Sequence, residues 1–112
     1  MAGKLTTHVL DTARGTGAAG LRVTVRRPGG SPLAIGVLDQ HGRAMLLADI
    51  PEAGLYEIVF DAAGYHRRVG VALSDPPFLD QITVAFGVAD PGAHYHVPLL
   101  LSPYSYSTYR GT

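Results

Sequence analysis

Fourteen glycines and eight prolines are scattered through the 112 residues of this chain, leaving apolar stretches of only about five to eight residues between them. Pieces that short are marginal as helices but are ordinary strands, so punctuation of this kind restricts the chain to an all-β architecture. Leu21-Arg-Val-Thr-Val-Arg26 is the clearest case: Leu21, Val23 and Val25 alternate with Arg22, Thr24 and Arg26, the two-residue period of a strand with one wet face. Further strands are predicted at 5–10, 31–38, 44–47, 55–60, 82–88, 94–101 and 104–109. The intervening turns carry Pro28-Gly-Gly30, Asp39-Gln-His-Gly42, Asp90-Pro-Gly92 and Ser102-Pro103, and 14–17 reads as a glycine-rich connection. Residues 61–68 have room for one or two helical turns. Seven or eight short strands in a chain this long predict a two-sheet sandwich forming a single domain over 1–112.

Nine basic and nine acidic residues cancel to a formal net charge of zero, which excludes the cationic field that nucleic acid or an anionic membrane requires. No apolar run approaches the roughly 20 residues of a membrane-spanning helix. The first residues lack a hydrophobic stretch of signal-peptide length, so the expected location is the cytoplasm. Cysteine is absent, which removes disulfides, thiolate metal sites and cysteine nucleophiles together. A core of this size without cross-links depends on packing or association, and the polar, proline-free strand at 104–109 is the predicted pairing edge.

Side chains suited to chemistry concentrate in three places. Strand alternation puts His94 and His96 on one face, about 7 Å apart. Such a pair is compatible with plain solvent exposure, with metal ligation if His8 joins it, or with metal-free acid–base chemistry, because imidazole titrates near neutral pH. Arg43 leaves the turn at 39–42 where its guanidinium can project into a cleft and hold a planar polar ligand through paired hydrogen bonds. His41 and His66 fall in a loop and near a helix end, where solvated roles are expected. The segment 102–112 carries hydroxyls on both faces and includes Tyr104, Tyr106 and Tyr109, a composition typical of an interface whose hydroxyls need partners.

Three motifs resemble one family in order and spacing: Leu5-Thr-Thr-His-Val-Leu-Asp-Thr-Ala-Arg-Gly15, Asp39-Gln-His-Gly-Arg43, and His94-Tyr-His-Val-Pro-Leu-Leu-Leu-Ser-Pro-Tyr-Ser-Tyr-Ser-Thr-Tyr-Arg-Gly-Thr112. They are similar to those of the transthyretin-like 5-hydroxyisourate hydrolases. The resemblance implies a prealbumin-like, or transthyretin-like, sandwich of two four-stranded sheets with one short helix. It implies a homotetramer, a dimer of dimers with active sites in the channel between them. It also implies hydrolysis of 5-hydroxyisourate to 2-oxo-4-hydroxy-4-carboxy-5-ureidoimidazoline, a purine-catabolic step from urate to allantoin, without metal or cofactor. Carried onto matching positions, the catalytic residues are His8, Arg43 and His96, and the substrate-binding residues are His8, Arg43, Tyr109, Arg110 and Thr112. Thr112 stands where the family's motif usually ends in serine, so the hydroxyl is kept and a methyl is added. The alternative is a non-enzymatic, transthyretin-like carrier of a hormone-like small molecule, which has no need of the His8, Arg43 and His96 set.

Overall fold

The alternation at 21–26 is realised as a strand whose Val23 and Val25 are buried while Arg22 is exposed, and the same rule builds most of the molecule. The structure is a computed structural model describing residues 2–112. In chain order its elements are β1 (Leu5–Asp11), β2 (Thr16–Gly17), β3 (Arg22–Arg26), β4 (Pro32–Val37), β5 (Arg43–Leu47), β6 (Gly54–Phe60), α1 (Ala62–Arg68), β7 (Ile82–Val88), β8 (Tyr95–Ser102) and β9 (Ser105–Thr108). One sheet has the order β4-β3-β6-β7, with every neighbour antiparallel. The other runs β2-β1-β8-β9, with β5 also paired to β1. In it β1 and β8 run parallel, from Leu5 beside Tyr95 to Asp11 beside Leu101.

This second sheet has five strands where the resemblance implied four. The extra one, β2, lies in the stretch expected to be a plain connection. The Asp11 carboxylate accepts hydrogen bonds from the backbone N–H groups of Ala13 and Arg14, both at 3.0 Å, and so folds the chain back until Thr16 and Gly17 pair with Asp11 and Leu10. β5 takes the rest of the same edge, pairing with Leu5 to His8. Two short strands thus share one side of β1.

Between the sheets lie Leu5 and Val9 of β1, Val23 and Val25 of β3, Ile58 and Phe60 of β6, and Leu99 and Leu101 of β8, all buried. Each contributes at most about 1.5–3 kcal/mol through removal of its side chain from water. Two of the polar groups that accompany them are paired. Thr7 Oγ1 donates to the Val97 carbonyl at 2.7 Å, and the Tyr65 hydroxyl donates to Asp11 Oδ2 at 2.7 Å, fastening α1 to the turn that creates β2. Burial, and then the adjoining Asp11 carboxylate, raise the Tyr65 phenol above its ordinary range.

Asp61 caps α1 by accepting from the Gly64 N–H at 3.2 Å. The helix corrects one expectation: His66 is buried instead of solvated, and neither ring nitrogen has a hydrogen-bond partner among the described residues. The reason is helical periodicity. His66 lies one turn beyond Ala62 and Ala63, on the inward face that also holds Tyr65.

Candidate active site

The parallel pairing of β1 with β8 creates the site by placing Thr6 directly beside His96. On β1, Leu5, Thr7 and Val9 face inward, so Thr6 and His8 face outward. On β8, Tyr95 and Val97 are buried, and His96 shares the outward side with His8. From the other edge of β1 comes β5, whose antiparallel register sets Arg43 opposite His8. Three segments distant in sequence therefore present polar side chains to one surface of one sheet.

Local chemistry fixes where Arg43 emerges. Asp39 Oδ1 accepts from the backbone N–H groups of His41 at 2.8 Å and Arg43 at 3.0 Å, which closes the turn and holds the Asp39 carboxyl below its ordinary range. Gly42 completes it with φ of +77°, and a Cβ there would lie 2.5 Å from the Val9 carbonyl oxygen and 2.7 Å from the Ala18 nitrogen. Only glycine lets this turn press onto β1 and β2. The Gly42 carbonyl then accepts from the Val9 N–H at 2.8 Å, docking the turn beside His8.

The opposite wall is the chain's last residues. Gly111 forms an isolated antiparallel bridge with His96, its N–H donating to the His96 carbonyl at 2.7 Å. Arg110 holds the same segment to the start of β8. Its guanidinium lies 4.1 Å from the centre of the Tyr95 ring and donates to the His94 carbonyl at 3.0 Å.

Between these walls is an open cavity of about 830 Å³, lined by Thr6, Arg43, Met45, His94, His96, Arg110 and Thr112 among others. Of the residues singled out in the sequence, Arg43, His94, His96, Arg110 and Thr112 meet here. His8 flanks the cavity through its ladder position opposite Arg43 without lining it. Tyr109 points elsewhere, into a second hollow of about 330 Å³ bounded by Phe86, Tyr95 and Val97. Thr6 and Asp39 were not singled out in advance as site residues, whereas Gly111 belongs to the terminal motif expected to complete the pocket. For Thr6 the signal was present: it is two residues from His8 and so on the same strand face.

Electrostatics favour a neutral His96. Desolvation, then the charges of His8 and Arg43, lower its pKa below the ordinary imidazole value, leaving it able to accept a proton near neutral pH. Among the described residues, no three His, Asp or Glu side chains converge as a metal-binding group. None of the helices is long and apolar enough to cross a membrane.

A sandwich with this sheet order and a polar cavity on one sheet defines a class that comparison makes definite: residues 5–111 match the HIUase/Transthyretin family, and the chain belongs to it. Its similarities run toward the hydrolases of that family. A protein of Ralstonia nicotianae named 5-hydroxyisourate hydrolase is 49% identical, covering 98% of this chain and 99% of its own length. The solved 5-hydroxyisourate hydrolase of Klebsiella pneumoniae superposes with a TM-score of 0.84 at 33% identity, over 97% of this chain and 99% of that one. A solved (S)-allantoin synthase superposes with a TM-score of 0.88 at 37% identity; this chain aligns over 99% of its own length and spans 44% of that longer one.

Proposed function

We propose that this chain, acting as one domain, hydrolyses 5-hydroxyisourate to 2-oxo-4-hydroxy-4-carboxy-5-ureidoimidazoline on the route from urate to allantoin. The observation that carries the reading is the meeting of a neutral imidazole, two guanidinium groups and a terminal hydroxyl in one cavity, supplied by His96, Arg43, Arg110 and Thr112. His96 takes a proton from the attacking water as its oxygen adds to the lactam carbonyl. Arg43 holds the planar, carbonyl-rich substrate and stabilises the charge that develops on the attacked oxygen. His8, whose positive form is one of the charges that disfavours protonation of His96, supplies the proton to the leaving nitrogen as the C–N bond breaks. Thr112 orients water or substrate through its hydroxyl, and Arg110 fixes the terminal segment while offering donors to substrate oxygens. No step requires a metal or organic cofactor, and exhaustive chelation is expected to leave the rate unchanged.

The working form is a cytoplasmic dimer of dimers, in keeping with the outer edges of β7 and β9, which pair with no further strand among the described residues. A carrier of apolar ligands gains nothing from a neutral base between two arginines, which weighs against the binding alternative. The decisive experiment follows the ultraviolet spectrum of 5-hydroxyisourate generated in place by urate oxidase. Wild-type protein accelerates its decay, and His96→Ala and Arg43→Ala do so far less. Decay at the spontaneous rate with wild-type protein overturns the reading.

A further inference from the structure

His94 and His96 both line the cavity, yet their Nδ1 atoms meet partners of different kinds. His94 Nδ1 accepts a hydrogen bond from the backbone N–H of Lys4 at 3.2 Å. An amide N–H can only donate, so this nitrogen keeps its lone pair and the proton of the neutral ring resides on Nε2. His96 Nδ1 lies 2.8 Å from Thr6 Oγ1. A hydroxyl both donates and accepts, so that contact persists whether or not Nδ1 carries a proton.

Gly111 closes another edge of the same ring. A Cβ at position 111 would fall 2.5 Å from His96 Cδ2, so the terminal segment lies directly against that atom. With Nδ1 engaged by Thr6 and Cδ2 covered by Gly111, the remaining open edge of the imidazole is Cε1 and Nε2. Among the described residues, Nε2 makes no hydrogen bond to the protein.

We infer that Thr6 is a positioning residue: its hydroxyl accepts from Nδ1–H of His96 and so turns the Nε2 lone pair toward the attacking water, while His94 is held in the opposite tautomer as a hydrogen-bond donor to substrate. This rests on the hydrolase reading above and divides two neighbouring histidines into one that exchanges a proton and one that does not. As water adds, Nε2 takes one of its protons, and the ring then carries protons on both nitrogens with Nδ1–H still bonded to Thr6. The other water hydrogen stays with the new carboxyl group and ionises to solvent. The leaving nitrogen is protonated by His8, and exchange with solvent returns both histidines to their starting states.

Side-chain nitrogen NMR of the intact wild-type protein tests the tautomers without reference to activity. The ring proton is expected on Nδ1 in His96 and on Nε2 in His94, and the same tautomer at both overturns the proposal. Kinetically, Thr6→Val keeps the β-branched shape and deletes the hydroxyl. It lowers kcat on 5-hydroxyisourate about tenfold, the loss expected for one hydrogen bond to a group that becomes charged, with KM little changed. It also moves the acid limb of kcat/KM to lower pH, because the protonated ring has lost an acceptor. Thr6→Ser restores both. Wild-type kcat in Thr6→Val, or a reduced kcat with an unmoved limb and no rescue by serine, overturns the inference. Should Thr6→Val not fold, the wild-type spectrum and the serine variant decide the matter. The hydrolase reading fails separately, through decay of 5-hydroxyisourate at the spontaneous rate with wild-type protein, a result that leaves the nitrogen spectrum untouched.

Discussion

Along the outer face of the β4-β3-β6-β7 sheet, Leu33, Ile35 and Val37 stand exposed on β4, and Arg26 pairs with Glu57 at 2.8 Å. Along the outer face of the β1–β8 sheet stand Thr6, His8, Arg43 and His96. Both sheets bury apolar residues inward, and they differ in how their neighbours were recruited. The first sheet joins antiparallel strands, and its ion pair is a part-buried one at the sheet surface, remote from the cavity lining. The second lays β1 against β8 with Thr6 and His96 separated by 90 positions. Apolar and charged groups on the first face have only to be tolerated, whereas those on the second must meet at hydrogen-bond distances. On the proposed function, the chemistry therefore falls on the sheet with the less local pairing.

That contrast is broken most severely by His96→Ala, for which a loss of about 10²- to 10⁴-fold in kcat/KM is expected, as for removal of a general base. In the wild type the acid limb of the pH profile is expected below the ordinary imidazole range, because burial and the His8 and Arg43 charges oppose protonation of His96, and a pH series of kcat/KM checks it. The linked stability effect has the same direction. With the folded value depressed, the contribution is complete above an unfolded value of about 6.5 and is lost as pH falls through the folded one, which acid titration of urea midpoints reads out.

Gly42→Ala comes next. It forces a side chain into a φ of +77° and sets a carbon 2.5 Å from the Val9 carbonyl oxygen. A destabilisation of up to about 3 kcal/mol is expected, accompanied by reduced turnover as Arg43 shifts, both measurable on one preparation by urea unfolding and the spectral assay. Tyr65→Phe removes the donor to buried Asp11 Oδ2 and is expected to cost about 1–2 kcal/mol with kcat unchanged at 25 °C. Ile35→Thr on the exposed face of β4 marks the quiet extreme: a stability change within about 0.5 kcal/mol and an unaltered kcat. A large activity loss from Ile35→Thr would mean that the supposedly passive face takes part in function.

Strands with strict alternation were legible in the sequence because their burial is written every second residue, as at Val23 and Val25. β2 was not, since its two residues pair only because the Asp11 carboxylate folds the preceding turn. His66 was obscured for another reason: its burial follows from the inward face of α1, and a two-turn helix shows too little periodicity to reveal that face. Arg43 and His96 stood out through the turn and the H-x-H strand pattern together with the family resemblance. The contact of Thr6 with His96 depends on a parallel register that nothing near either residue encodes. Tyr109 was grouped with Arg110 and Thr112 by motif, but Tyr109 bounds the second hollow and Thr112 the main cavity, with Arg110 bordering both.

The pairing of β1 with β8 also has a consequence in time. During synthesis β1 emerges first and must wait for a partner 90 positions later, roughly 5–20 s at ordinary rates of elongation. Through that interval one margin of β1 is an open row of amides and carbonyls, the kind of template on which nascent chains stick to one another. The arrival of β8 covers that row and in the same movement brings His96 beside Thr6. Turnover recovered on refolding the released chain would therefore register the moment at which that row is covered.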